Sequence, residues 1–105
     1  MSDVITAANF KAEALDSSVP VIVDFFATWC MPCKMIAPVL NDIAAEAGDR
    51  FKIVKVDIDK DPQLANAYNV QSVPTLVFIK NGKVADQVLG AVPKPVIMDK
   101  INALM

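Results

Sequence analysis

The apolar positions change period along the chain, and the changes mark out its elements. Asp3-Val4-Ile5-Thr6 reads as a short first strand. Phe10, Ala14 and Leu15 fall at helical spacing, which predicts an amphipathic helix from about Ala7 to Asp16, ended by Ser17-Ser18. Val19 to Ala27 is apolar on both faces, apart from Asp24, and rich in β-branched and aromatic residues. That pattern suits a central, parallel strand covered on two sides, and Pro20 fits only at its start. A helical pattern follows from Lys34 to Ala47, with Met35, Ile36, Val39, Leu40 and Ile43 on one side and Asn41, Asp42 and Glu46 opposite. Pro38 inside it removes a backbone bond and predicts a kink, and Gly48-Asp49 stop it.

The second half alternates faster. Phe51 to Asp57 has strand period, Asp59-Lys60-Asp61-Pro62 turn the chain, and Pro62 to Tyr68 reads as a short helix. Thr75 to Lys80 is strand-like, and Asn81-Gly82 is a strong hairpin signal, so Lys83 to Leu89 returns antiparallel. Pro93 to Leu104 closes as a helix with Val96, Ile97, Ile101 and Leu104 on one face and Pro93 or Pro95 in its first turn. The order is β-α-β-α-β-α-β-β-α. Helical links make the early strands parallel and the hairpin makes the last two antiparallel, which predicts an α/β fold: a mixed sheet with helices on both faces. No internal repeat or linker divides it, so one domain is expected over residues 1–105.

Composition narrows the function. Of 105 residues 54% are hydrophobic and 21% charged, which excludes a disordered chain. The net charge is −2 with no basic patch, so nucleic acid is not expected as a partner. No apolar run approaches the roughly 18 residues of a membrane span. Met1-Ser2-Asp3-Val4 carries no signal-type segment, so a cytoplasmic location is expected, where a stable structural disulfide is unusual. There is no histidine, which removes the commonest general base and a common metal ligand together.

Against that background one stretch stands out, Trp29-Cys30-Met31-Pro32-Cys33-Lys34, which holds both cysteines at a strand-to-helix junction. A structural disulfide across so short a loop stabilises by only about 2 kcal/mol on the chain-entropy estimate. A zinc site needs about four ligands, and neither a second cysteine pair nor a histidine is present; a metal shared between two chains is a further alternative. Reversible dithiol–disulfide chemistry fits best. Residues three apart on a helix have Cβ atoms roughly 5–6 Å apart, and a disulfide needs about 3.5–4.5 Å, so the pair closes with a small adjustment in a first turn where Pro32 is tolerated. Cys30, nearest the unpaired N–H groups of the helix start, is expected to be the nucleophile, and Cys33, one turn in and more buried, the resolving thiol. Half-ionising a thiol of pKa about 8.5 near pH 7 needs roughly 2 kcal/mol, and a helix terminus supplies about 0.3–1. The remainder must come from backbone N–H groups and the Cys33 thiol, since Lys34 points along the helix toward solvent. Asp24 interrupts the apolar strand. It is either a solvated residue at a bulge or a buried acid–base group, with Lys55 as a candidate partner, that takes the Cys33 proton through water.

The chain resembles the thioredoxin family over essentially its whole length. The matching pieces are Val-Asp-Phe-Phe-Ala-Thr-Trp-Cys-Met-Pro-Cys-Lys at 23–34, Ala37-Pro38, Lys55-Val56-Asp57, Val73-Pro74-Thr75, Lys80-Asn81-Gly82 and Gly90-Ala91. The resemblance implies a thioredoxin fold, a five-stranded sheet ordered 1-3-2-4-5 flanked by four helices. It implies a protein-disulfide reductase with no bound cofactor beyond its redox-active Cys30–Cys33 disulfide. NADPH would recharge it through a flavoprotein thioredoxin reductase, and it would act as a monomer on disulfide-containing proteins. It matches Asp24 and Lys55 to a buried pair, Pro74 to a cis-proline facing the sulfurs, and Trp29, Val73, Gly90 and Ala91 to an apolar rim, with the Val73 backbone free to pair with an extended substrate. Core packing for Trp29 and a trans-proline at a strand edge for Pro74 are the plainer alternatives. Two positions depart from the family: Phe26 stands where tryptophan is common, and Met31 where glycine is usual. Met31 and Pro32, between the cysteines, are the residues expected to tune the reduction potential. An oxidant or isomerase, or a redox-independent binding module, are the competing functions.

Overall fold

The structure is a computed structural model that describes residues 3–105. Its elements are β1 (Asp3–Ile5), α1 (Ala7–Leu15), β2 (Val21–Phe26), α2 (Met31–Ala47), β3 (Lys52–Asp57), α3 (Pro62–Ala67), β4 (Thr75–Lys80), β5 (Lys83–Leu89) and α4 (Lys94–Asn102). The five strands form one sheet ordered β1-β3-β2-β4-β5, as the resemblance implies.

Strand direction departs from the expectation at one place. β1 and β2 both run parallel to β3, but β4 runs antiparallel to β2, so the central strand is parallel on one side only. The link through α3 leaves the chain at the end of the sheet where β3 stopped, and β4 starts there, with Thr75 opposite Phe25. The hairpin behaves as its turn residues require: Asn81 and Gly82 have φ of 53° and 77°.

Most boundaries shift by one or two residues, and two elements differ more. α1 ends in a π-helical turn over Lys11–Leu15, closed by the Asp16 N–H to the Lys11 carbonyl at 2.8 Å. α2 begins at Met31, three residues before Lys34, because Cys30 already serves as its N-cap. The helix runs on through Pro38, which lies on its exposed side.

Strand alternation sorts the core into two layers. Val21, Val23 and Phe25 face α1 and α3 together with Val54, Val56, Val77 and Ile79. Ile22 faces α2 and α4 with Ile53, Leu76 and Phe78, against Ile36, Leu40, Ile97 and Ile101. Asp24 has the parity of Ile22 and Lys55 that of Ile53, so both point under α2, where the register sets them opposite one another. Val21, Ile22, Val23 and Phe25 are fully buried. At about 1.5–3 kcal/mol each they outweigh the burial of one carboxyl in the same strand.

Candidate active site

Cys30 and Cys33 are joined by a disulfide, with Cα atoms 5.3 Å apart. Cys30 has extended backbone (φ −86°, ψ 113°) and its carbonyl accepts from Lys34 at 3.2 Å, while its Sγ accepts the Cys33 N–H at 3.1 Å. The sulfur therefore occupies the place a serine or aspartate oxygen takes at an ordinary helix N-cap. A negative charge there meets an N–H donor and the positive end of a 17-residue helix. The expected difference in burial is absent: Cys30 is 3% exposed and Cys33 5%. The N-cap seats Cys30 between Ala27, whose carbonyl accepts its N–H at 3.2 Å, and the Val73 loop, so both sulfurs are covered. Hydrogen bonding, not exposure, sets them apart.

The Val73–Pro74 bond is cis, and the Val73 carbonyl oxygen lies 3.6 Å from Cys30 Sγ. In the disulfide that is a contact. In the dithiol the same oxygen can accept the Cys30 S–H. The turn is fixed from both sides, by the Thr75 hydroxyl to the Ser72 carbonyl at 2.7 Å and by the Gly90 N–H to the Pro74 carbonyl at 2.9 Å. Gly90 has φ of +85°; a Cβ there would meet no atom within 4 Å, so it is the backbone, not the space, that favours glycine. Ala91 follows it, exposed, and Val73 is half-buried.

Trp29 is 65% exposed and takes no part in the core. Its indole N–H donates to Asp59 Oδ2 at 2.8 Å. Asp59 is a site residue that pattern reading missed. It is one of three alternating aspartates from the end of β3 onward, and no local signal separates it from Asp57, which accepts backbone N–H groups of its own turn, or Asp61, which accepts the Ala7 N–H.

Asp24 is 1% exposed, which excludes a solvated bulge. Its Oδ2 lies 3.8 Å from the Lys55 ammonium, an ion pair too long for a hydrogen bond, and its Oδ1 has no partner. Burial pushes the carboxyl up to about 6, although the Lys55 charge draws it down. Lys55 also lies over the Phe26 ring at 4.5 Å, so Phe26 fills its position as the flat apolar partner of that ammonium. Beside them opens a pocket of about 260 Å³ lined by Phe26, Thr28, Cys33, Lys34, Ala37 and Lys55, among others. Cys33 and Lys55 thus share one wall-bounded space, while Cys30 faces Val73. Met31 and Pro32, the first two residues of α2, are both exposed. Among the described residues no cluster of three or more histidine, cysteine, aspartate or glutamate side chains could hold a metal, and no helix is long and apolar enough to cross a membrane.

A thioredoxin family model matches residues 2–103. The relatives include Thioredoxin 1 of a Nostoc species, 50% identical over 93% of this chain and 92% of that one. Thioredoxin 1 of Synechococcus elongatus is 47% identical over the same shares. The chloroplastic M-type thioredoxin of Chlamydomonas reinhardtii is 47% identical over 90% of this chain and 67% of that one. None of these favours the oxidant, isomerase or binding-module alternatives. With a paired Cys-x-x-Cys at the head of α2 and this match along nearly all its length, the chain belongs to the thioredoxin family and is a thiol–disulfide oxidoreductase, a protein-disulfide reductase.

Proposed function

We propose that Cys30 is the attacking sulfur and Cys33 the resolving one. The observation that carries this reading is the 3.1 Å bond from the Cys33 N–H to Cys30 Sγ at the start of α2. A charge-assisted hydrogen bond of that kind supplies about 1.5–3 kcal/mol, which with the helix terminus covers the roughly 2 kcal/mol that a thiolate near neutral pH requires. In the dithiol enzyme the Cys30 thiolate attacks one sulfur of a substrate disulfide, forming a mixed disulfide and releasing the other substrate sulfur as a thiolate. Cys33 then gives its proton through water in the pocket to Asp24 and attacks Cys30 Sγ. The second substrate sulfur leaves as a thiolate, and the Cys30–Cys33 disulfide carries away the two electrons' worth of oxidation.

Asp24 suits the role because, with its pKa about 6, it is about nine-tenths ionised at pH 7 and free to accept a proton. Transfer from a thiol of pKa about 8.5 is uphill by about 3 kcal/mol, well below the roughly 13–17 kcal/mol of an ordinary enzymatic step. Lys55 steadies the ionised form. Trp29, Val73, Pro74, Gly90 and Ala91 form the surface on which the substrate chain lies, with the Val73 backbone as its strand partner. Met31 and Pro32 set the potential of the couple. Electrons come from NADPH through a flavoprotein thioredoxin reductase, and the protein works as a cytoplasmic monomer.

Insulin-disulfide reduction driven by NADPH and a thioredoxin reductase tests this reading. Sustained NADPH consumption with insulin present is expected. If the chemically pre-reduced protein reduces insulin but the NADPH-driven assay stays silent, the recharging partner is wrong. If the pre-reduced protein leaves insulin intact, the proposed function itself fails.

A further inference from the structure

The outward face of α2 changes character along its length. Its buried residues, Cys33, Ile36, Leu40, Ile43 and Ala47, keep one stripe toward the sheet. On the solvent side the second half is polar, with Asn41, Asp42 and Glu46 exposed, as an ordinary surface helix requires. The first half breaks that rule. Met31 is 63% exposed and Met35 68%, with exposed Pro38 continuing the line. Residues four apart share a helix face, so the two methionines stand side by side. Neither belongs to a core cluster. The exposed apolar side chains are the ones beside Cys30, where Met31 and Met35 join Trp29 near the sulfurs with the exposed Lys34 among them.

We infer that Met31 and Met35 form a substrate-selecting ridge, and that the preferred substrates are protein disulfides flanked by apolar side chains. This rests on the proposed attack by Cys30. A partner whose sulfur reaches Cys30 Sγ must lie over the next residue of the chain, so the side chain at position 31 is covered in every encounter. An unbranched thioether adapts to differently shaped apolar neighbours, which suits a ridge that meets many partners. Met31 thereby has a contact role separate from any effect on the potential.

The test uses three substrates: a disulfide-bonded peptide with leucines flanking the cystine, the same peptide with serines, and hydroxyethyl disulfide, which has no flanks. The wild-type protein is compared with Met31→Ser/Met35→Ser and Met31→Leu/Met35→Leu, each with its potential measured. The wild-type protein is expected to favour the leucine peptide over the serine peptide by about 10-fold in kcat/KM, mostly through KM. In the serine variant the ratio of leucine-peptide to hydroxyethyl-disulfide rates falls about 10-fold, and in the leucine variant it is restored. An unchanged ratio in the serine variant overturns the ridge, as does an equal fall in the leucine variant. A shift of potential that slows all three substrates alike also overturns it, because Met31 then acts on the couple alone. Failure of the wild-type protein on every substrate would instead strike the proposed function.

Discussion

Two sulfurs three residues apart keep different company. Around Cys30 the structure supplies backbone: the Cys33 N–H on one side, the Val73 carbonyl on the other, and an exposed apolar border of Trp29 and Met31 beyond. Around Cys33 it supplies a pocket and titratable side chains, with Lys34 and Lys55 on the wall and Asp24 behind Lys55. Burial does not distinguish the two, since both cysteines are almost wholly covered. What differs is that the Cys30 sulfur meets a fixed backbone N–H, while Cys33 shares a pocket with Lys55, the partner of Asp24. On the proposed reading, the first is activated before any substrate arrives and the second when its turn comes.

The largest effect that can break this contrast is Cys30→Ser. Loss of the attacking sulfur is expected to lower insulin reduction by at least about 10³-fold, while the Cys33 side remains intact. Retention of more than a small fraction of the rate would mean the two sides are interchangeable.

Asp24→Asn sharpens the contrast from the other side. Turnover is expected to fall by about 10- to 100-fold, with trapping of the mixed disulfide little changed, and the rise of turnover with pH around 6 disappears. Stability moves the opposite way. The carboxyl holds its proton up to about 6 in the folded chain against 3.8 ordinarily, so its protonated form stabilises the fold below pH 4, and that contribution, about 3 kcal/mol, is lost as pH rises through 6. The asparagine variant is therefore expected to be about 2–3 kcal/mol more stable than wild type at pH 8 and no more stable at pH 4, read from denaturant midpoints at the two pH values. Equal midpoint shifts at both would remove the buried charge from the account.

A smaller change comes from Lys55→Gln. Without the ammonium the Asp24 carboxyl rises further, so the acid limb of the turnover profile shifts to higher pH while the Cys30 side is untouched. A profile that stays in place would mean the 3.8 Å pair is electrostatically silent. Least of all, Asp59→Ala frees the Trp29 indole. The lost hydrogen bond is exposed and contributes about 0.5–1.5 kcal/mol, so KM for insulin rises a few-fold with kcat held, and the tryptophan fluorescence changes. A fall in kcat instead would place Trp29 in the chemistry.

Local pattern accounts for much of this molecule. A run apolar on both faces marked β2, a period-two run marked β3, the Asn81-Gly82 pair marked the hairpin, and the paired cysteines at the strand-to-helix junction marked the site. The parts that escaped depend on residues far apart in the chain. The direction of β4 is set by which end of the sheet its link returns to, which no local pattern carries. The Trp29–Asp59 bond spans thirty positions, and three aspartates near β3 looked alike until one met the indole. The helical pattern counts from Lys34, although the cysteine pair already implies a first turn at Cys30, and α2 starts at Met31 with that sulfur as its cap. Met35 reads as a core position in the helical pattern. Only the packing of α2 shows that its inner stripe is filled without it.

The division of labour between the sulfurs is tested most directly by trapping. The reduced Cys33→Ser protein is mixed with insulin, and the adduct is digested and identified by peptide mass spectrometry. A stable mixed disulfide is expected, borne by Cys30, with turnover lost and the first attack retained. A Cys33→Ser protein that resolves its substrate at the wild-type rate, with no adduct, would contradict the account.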